Sequence, residues 1–104
     1  MTRRFRLTPQ ARADLRDILL GVATDNPEAA ERLRHRLYEG LQRLGQSPGI
    51  GHFHTELLDR RFRFWNFHPY VVCYIWQKRP IQIIAIVHGA RELAAFFGLR
   101  AGSD

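Results

Sequence analysis

Two helix-start signals constrain the fold of this chain more than any other feature of its sequence. Thr8-Pro9 and Asn26-Pro27 each place a capping residue directly before a proline, the order favoured at the N-cap and first position of a helix. Because the second signal follows the first helical stripe almost at once, the sequence predicts a hairpin of two antiparallel helices. The apolar residues that recur at helical spacing are Ala11, Leu15, Ile18, Leu19 and Val22, then Ala30, Leu33, Leu37, Leu41 and Leu44, with Gly45 as the expected stop.

Strand signals flank this helical hairpin. A short strand carrying Phe5 and Leu7 precedes it. The breaks at His68-Pro69 and Lys78-Arg79-Pro80 predict the turns of an antiparallel meander. Residues 45–59 are rich in Gly and Pro, so no regular element is expected there. The runs rich in aromatic and β-branched residues are Arg61–Phe67, Tyr70–Gln77 and Ile81–His88.

Composition limits the class of protein. A chain of 104 residues that is 45% hydrophobic and 25% charged predicts a single domain spanning residues 1–104. The formal net charge of +6 favours acidic partners such as nucleic acid or a negatively charged protein. The lone Cys73 excludes an internal disulfide, and the longest apolar run, residues 83–87, is too short to cross a bilayer. We therefore expect a cytoplasmic protein that does not enter a membrane.

The usual catalytic and metal-binding patterns are weak. His52 and His54 could chelate a metal together with His68 or His88, but no carboxylate lies at ligand spacing. Cys73 is expected inside a buried strand, which argues against a thiol nucleophile. The sequence "GIG" lacks the context of a phosphate-binding loop. We expect no metal, no cofactor and no small-molecule substrate.

The first of the three runs mixes cations with rings. Arg60, Arg61 and Arg63 alternate with Phe62, Phe64, Trp65 and Phe67, a mixture that could follow an RNA backbone and stack on its bases. The alternative is that Phe62 and Phe64 form the core face of a strand while the arginines are solvated on its outer face. The sequence leaves both interpretations open.

The segment "AIVHGARELAAFF" places His88, Arg91 and Glu92 where the third run ends. These groups could form a docking corner, with Glu92 orienting Arg91. The alternative is a structural role, in which Arg91 pairs with Glu92 or caps neighbouring carbonyl groups. A third interpretation, with His88 as the general base of an enzyme, has the least support.

The motifs taken together resemble a known family. "LTPQARADLRDI", "DNPEAAERLRHRL", "SPGIGHF", "RFWNFHPYVVCYIW" and "IIAIVHGARELAAFF" occur in the order found in the ParE branch of the RelE/ParE toxins of type II toxin–antitoxin systems. The resemblance runs from Arg4 to about Phe97, with Glu92 where the family usually carries Asp. It implies an α+β fold in which an N-terminal strand and an αα-hairpin pack on a small antiparallel β-sheet. It also implies a growth-arresting, plasmid-stabilising toxin.

The two branches of this family differ in chemistry. RelE-like members cut ribosome-bound mRNA with a cluster of basic residues and an aromatic hydroxyl. Here Val71 stands where that branch commonly has an Arg, and Phe97 stands where it has a Tyr. Arg91 matches one basic residue, and it and His88 would be catalytic if the chain were a ribonuclease. The resemblance therefore favours the ParE branch, although whether the chain is an enzyme stays open.

The ParE resemblance implies protein partners. These are DNA gyrase as the target and a cognate ParD-like antitoxin, joined to the toxin in a hetero-oligomer. The alternatives are a RelE-like ribosome-dependent mRNA endoribonuclease and a small basic nucleic-acid-binding module. No catalytic residue is assigned. The expected target- or partner-binding residues are Arg61, Arg63, Trp65, His88, Arg91, Glu92 and Phe97.

Overall fold

The computed structural model describes residues 3–54 and 59–89. The predicted order of one strand, two helices and three strands is confirmed in this part of the chain. The elements are β1 (Phe5–Leu7), α1 (Pro9–Asp25), α2 (Pro27–Gln46), a 3₁₀ turn (Pro48–Ile50), β2 (Phe62–Phe67), β3 (Tyr70–Ile75) and β4 (Ile81–His88).

Both helices begin as their capping residues predict. The Thr8 hydroxyl accepts a hydrogen bond from the Ala11 amide at 3.2 Å, and the Asn26 side chain accepts one from the Ala29 amide at 3.1 Å. Each bond satisfies an amide that the first helical turn leaves without an intrahelical acceptor. Asn26 also forms the whole link between the helices, so the hairpin is as tight as expected.

The expected stop of the second helix at Gly45 is wrong, because α2 continues to Gln46. Gly45 is buried against the chain just before β1, and a Cβ there would overlap the carbonyl oxygen of Arg4 and lie 2.8 Å from its carbonyl carbon. The glycine therefore permits close approach of helix and strand.

The segment expected to lack regular structure is more ordered than predicted. It contains the 3₁₀ turn at Pro48–Ile50, and His52 forms a bridge with Phe64, with amide-to-carbonyl distances of 2.8 and 2.7 Å. The buried Tyr74 hydroxyl donates to the Pro48 carbonyl at 2.6 Å and accepts from the Gly51 amide at 3.0 Å. Contacts made by β2 and β3 therefore hold Pro48, Gly51 and His52 in place, which local sequence signals could not reveal.

The sheet has the strand order β1-β4-β3-β2. The three later strands form the predicted antiparallel meander, and β3 is central as expected. The sheet is mixed, however, because β1 joins it parallel to β4, with Phe5 opposite Ile81. The predicted α+β class, with the helical hairpin on the sheet, is confirmed.

The main core lies between the hairpin and one face of the sheet. Leu37, Leu41 and Leu44 from the predicted stripe of α2 pack there with Val72 and Ile83. A second cluster occupies the opposite face of the sheet and contains the buried residues Phe62, Phe64, Cys73 and Ala85. The sheet is therefore apolar on both faces. Among the described residues, no helix combines the length and apolar character needed to cross a membrane.

Candidate interaction surfaces

A β-bulge decides which face of the sheet His88 occupies. Strict alternation from Ile83 would place His88 on the face away from the helices. The register between β3 and β4 shifts by one residue on passing Ile84, which reverses the alternation and brings Ile86 and His88 to the helix side. The Ile86 amide then donates to the Asp14 carboxylate at 3.0 Å, tying α1 to this part of β4.

The resulting corner is open and of mixed polarity. The exposed His88 meets Tyr70 edge to face, with ring centroids 5.4 Å apart and an interplanar angle of 83°. A groove of about 410 Å³ lies beside this pair and is also lined by Asp14, Asp17 and Ile18 of α1. The corner could therefore receive a side chain or short segment of a partner.

The other predicted residues of this corner, Arg91, Glu92 and Phe97, lie outside the described residues. The roles expected for them, including the orientation of Arg91 by Glu92, stay predictions.

Arg63 does not lie on a solvated outer face. Phe62 and Phe64 face away from the helices, so Arg63 and Trp65 point to the helix side of β2. The Arg63 guanidinium stacks on the rings of Phe53 and Trp76, at 4.1 and 4.2 Å from their centroids. Arg63 also donates from Nη1 to the Gly51 carbonyl at 2.7 Å. The interpretation in which Arg63 is solvated on the outer face of its strand is therefore wrong.

Arg61 and Trp65 also have partners within the molecule. Arg61 forms a forked ion pair with Asp59, with Nη2 and Oδ2 2.6 Å apart, and these hydrogen bonds hold the pKa of Asp59 below its ordinary value. Trp65 packs against the helical hairpin, and a Cβ at Gly40 would overlap its indole ring. The two remain candidates for binding through their exposed edges.

Two of the predicted residues that the structure describes, Arg61 and His88, lie at opposite ends of the sheet. Arg61 precedes the start of β2, where Phe62 lies opposite Ile75. His88 lies opposite Tyr70, which in turn pairs with the far end of β2. At about 3.4 Å per residue, the two ends of a six-residue strand are about 17 Å apart. The sequence placed these residues on the right elements but could not show that they lie at opposite ends of the sheet.

Comparisons with known proteins show the family. The sequence model described as ParE toxin of type II toxin–antitoxin system, parDE, matches residues 5–93. The chain belongs to the ParE toxin family. A solved structure titled as the chromosomal ParDE TA system from P. aeruginosa has the same fold, with a TM-score of 0.65 and 23% sequence identity. The match covers 82% of this chain and 94% of that one. Comparison with curated protein sequences gave no match.

A groove between the two helices was not identified from the sequence of this ParE-family chain. It measures about 440 Å³, and its lining includes Leu15, Leu19, Leu20, Ala30 and Tyr38, with Arg12, Arg16 and Arg34 also present. Leu20 is 60% exposed and lines this groove together with other apolar side chains, so the exposed apolar surface is contiguous there. The sequence did contain a signal for this groove, because Leu20 follows Leu19 in α1 and falls outside the predicted apolar stripe.

Proposed function

We propose that this ParE-family toxin arrests growth by binding DNA gyrase and that a ParD-like antitoxin neutralises it. Membership of the ParE family is the observation that carries the proposal. The action on gyrase and the identity of the antitoxin go beyond that membership and rest on what is typical of the family.

The described polar groups of the sheet support binding in preference to RNA cleavage. Cleavage would require an aromatic hydroxyl and cations free to act on the 2′-hydroxyl and the phosphate. The Tyr74 hydroxyl is occupied by Pro48 and Gly51, and the Arg63 guanidinium lies over the rings of Phe53 and Trp76. Val71, at the position where the RelE branch commonly has an Arg, packs against the second apolar cluster.

The helical groove is the surface we assign to the antitoxin. Its apolar lining suits the apolar face of an amphipathic helix, and Arg12 and Arg16 of its lining suit acidic residues on that helix. Charge would speed the encounter, and burial of apolar surface would keep the two chains together. Co-expression with the adjacent small open reading frame should give a complex that survives high salt.

Two matched substitutions test the antitoxin surface. Leu20→Glu places a charge in the groove, whereas Ile50→Glu places one on a residue that is 57% exposed in the 3₁₀ turn. Because both sites are exposed, neither variant should unfold. We expect Leu20→Glu to abolish co-purification with the antitoxin and Ile50→Glu to leave it intact. If both variants retained the antitoxin equally well, the groove would be ruled out as the binding surface.

Purified toxin added to gyrase tests the target. We expect inhibited supercoiling or an increased amount of the cleaved-DNA complex, with ribosome-bound mRNA left intact in a parallel assay. Arg91→Ala should weaken the effect if the corner touches gyrase, whereas Arg32→Ala, at an exposed position of α2, should not. Cleavage of mRNA at defined positions with gyrase unaffected would overturn the proposal.

One observation favours the RelE-like alternative. His88 is exposed beside Tyr70 at an open groove, so an imidazole and a phenol hydroxyl lie near one recess. If this pair cut RNA, both His88→Ala and Tyr70→Phe would abolish cleavage, and Arg91→Lys would sharply reduce it through loss of the planar guanidinium fork. In that case Phe97→Tyr should increase cleavage by adding a proton donor. On the gyrase proposal there is no cleavage for any of these substitutions to change.

A further inference from the structure

We propose that one end of the sheet binds the phosphate backbone of duplex DNA. The strand register brings the starts of β1, β2 and β4 and the end of β3 together, because Phe5 lies opposite Ile81, Gln82 opposite Ile75, and Ile75 opposite Phe62. Each of these strand starts follows a pair of basic residues in the sequence. We call the resulting surface the basic end, and it consists of Arg3, Arg4, Arg6, Arg60, Arg61, Lys78 and Arg79.

The basic end is rich in positive charge among the described residues. All seven of its cations are exposed, and the carboxylate of Asp59 is paired with Arg61 among them. Seven positive charges and this one negative charge leave a local excess of six. Elsewhere in the described residues, seven cations face six acids. The positive charge of the described residues is therefore concentrated at one end, although the residues of that end are widely separated in the sequence.

Contacts within the molecule hold several of these cations in place. The Trp76 indole donates to the Arg60 carbonyl at 2.9 Å, and Arg79 approaches the Trp76 carbonyl at 3.4 Å. The Arg60 guanidinium stacks over Phe53, 4.7 Å from the ring centroid. Arg3 lies 5.4 Å from the ring centroid of Phe5. Side chains ordered in this way lose less conformational entropy when they bind a ligand.

The chemistry of the basic end suits phosphate better than a protein partner. Stable protein docking relies on apolar or aromatic anchors that become buried, whereas phosphate contacts need only cations and hydrogen-bond donors. Leu20, the most exposed large apolar residue of the described chain, lies in α1 and lines the groove between the helices. A row of four strand ends at about 4.8 Å spacing spans about 14 Å, enough for on the order of four phosphate contacts.

Duplex DNA fits better than a single strand. Single-strand binding depends on exposed rings on which bases stack. At the basic end the rings of Phe53 and Trp76 are already occupied by guanidinium groups, since Arg63 stacks on both and Arg60 also stacks on Phe53. These rings are therefore not open for bases to stack on, whereas exposed cations such as Arg4, Arg6 and Lys78 can face a phosphate backbone.

This inference deepens the proposed function, and it rests on that function for the source of the DNA. Gyrase holds a DNA segment while it cleaves it, so a toxin bound to gyrase could contact that segment through its basic end. Contact with both partners would favour the enzyme–DNA complex over either component alone.

Fluorescence anisotropy with a short labelled duplex and the full-length chain, without gyrase, tests the DNA contact. With about four phosphates contacted, affinity should fall about 150-fold between about 50 and 200 mM salt, because log K falls with log salt by about 0.9 per contact. The double variant Lys78→Gln/Arg79→Gln removes two phosphate contacts. Its affinity for the duplex should therefore fall only about tenfold over the same salt range. The matched control Arg32→Gln/Arg36→Gln changes exposed residues of α2, and its affinity should show the same salt dependence as that of the wild type.

Three results would overturn the inference. The first is equal salt dependence of the Lys78→Gln/Arg79→Gln variant and its control, and the second is the absence of binding to the duplex at low salt. The third is that the basic end binds poly-glutamate more tightly than it binds the duplex. That result would identify an acidic protein as the partner.

A parallel supercoiling assay separates failure of this inference from failure of the proposed function. If the wild type binds DNA through the basic end but leaves gyrase unaffected, the proposed target is wrong and the DNA contact stands. If Lys78→Gln/Arg79→Gln loses DNA binding and also stabilises the cleaved-DNA complex less than the control does, both are supported.

Discussion

Gly45 and Gly21 are helical glycines in opposite surroundings. A Cβ at Gly45 would overlap the backbone of Arg4, whereas one at Gly21 would meet nothing within 4 Å. Gly45→Ala should therefore lower the free energy of unfolding by about 1–3 kcal/mol through overpacking. Gly21→Ala should raise it by about 0.5–1 kcal/mol, because alanine favours the helix. Urea unfolding measures both, and a stabilised Gly45→Ala variant would show that β1 can move away from α2.

Tyr74 couples stability to alkaline pH. Burial raises the pKa of its hydroxyl above the ordinary value of 10.0, and the hydrogen bond from the Gly51 amide opposes this. The unfolded chain therefore loses the proton at a lower pH than the folded chain does. The stability that this group contributes is complete below about pH 10 and is lost as the pH rises through the folded pKa.

The substitution Tyr74→Phe tests this coupling. At neutral pH it should cost about 1–3 kcal/mol, because the Gly51 amide loses its buried acceptor. Above about pH 10 the difference between the variant and the wild type should shrink, as followed by unfolding at several pH values. A constant difference across this range would show that Tyr74 does not titrate differently in the two states.

At the scale of elements, α2 contributes most of the helical half of the core. Leu41 is fully buried at the centre of its apolar stripe. Leu41→Ala should therefore cost about 2–5 kcal/mol through lost burial and the cavity left behind, a large part of the stability of a small domain. Leu20→Ala in α1, where the side chain is exposed, should change stability by less than about 0.5 kcal/mol. An unchanged denaturation midpoint for Leu41→Ala would place the stripe outside the core.

The whole molecule should unfold as one cooperative unit. Trp65 packs between β2 and the hairpin, whereas Trp76 lies at the basic end beside Arg63. If residues 1–104 form a single domain, tryptophan fluorescence and far-ultraviolet circular dichroism should give one urea midpoint. Single-tryptophan variants, Trp65→Phe and Trp76→Phe, would report the two regions separately. Different midpoints for the two would show that the sheet end and the hairpin unfold independently.

Local signals were sufficient to predict the helices and strands of the described residues. Thr8-Pro9 and Asn26-Pro27 start helices because capping and proline geometry act within one turn. The stripe from Leu37 to Leu44 is buried because helical spacing alone places those side chains on one face. These properties depend on residues a few positions apart, so the sequence by itself determined the α+β class and, through its motifs, the resemblance to the ParE family.

Tertiary structure decided the properties that depend on contacts between distant segments. The parallel pairing of β1 with β4 joins residues far apart in the sequence, and the bulge near Ile84 sets the face of His88 through its register with β3. Arg63 looked solvated because the rings of Phe53 and Trp76 that hold it lie on other segments. The basic end likewise exists because the register aligns separate strand ends, and periodicity within one strand carries no information about its neighbours.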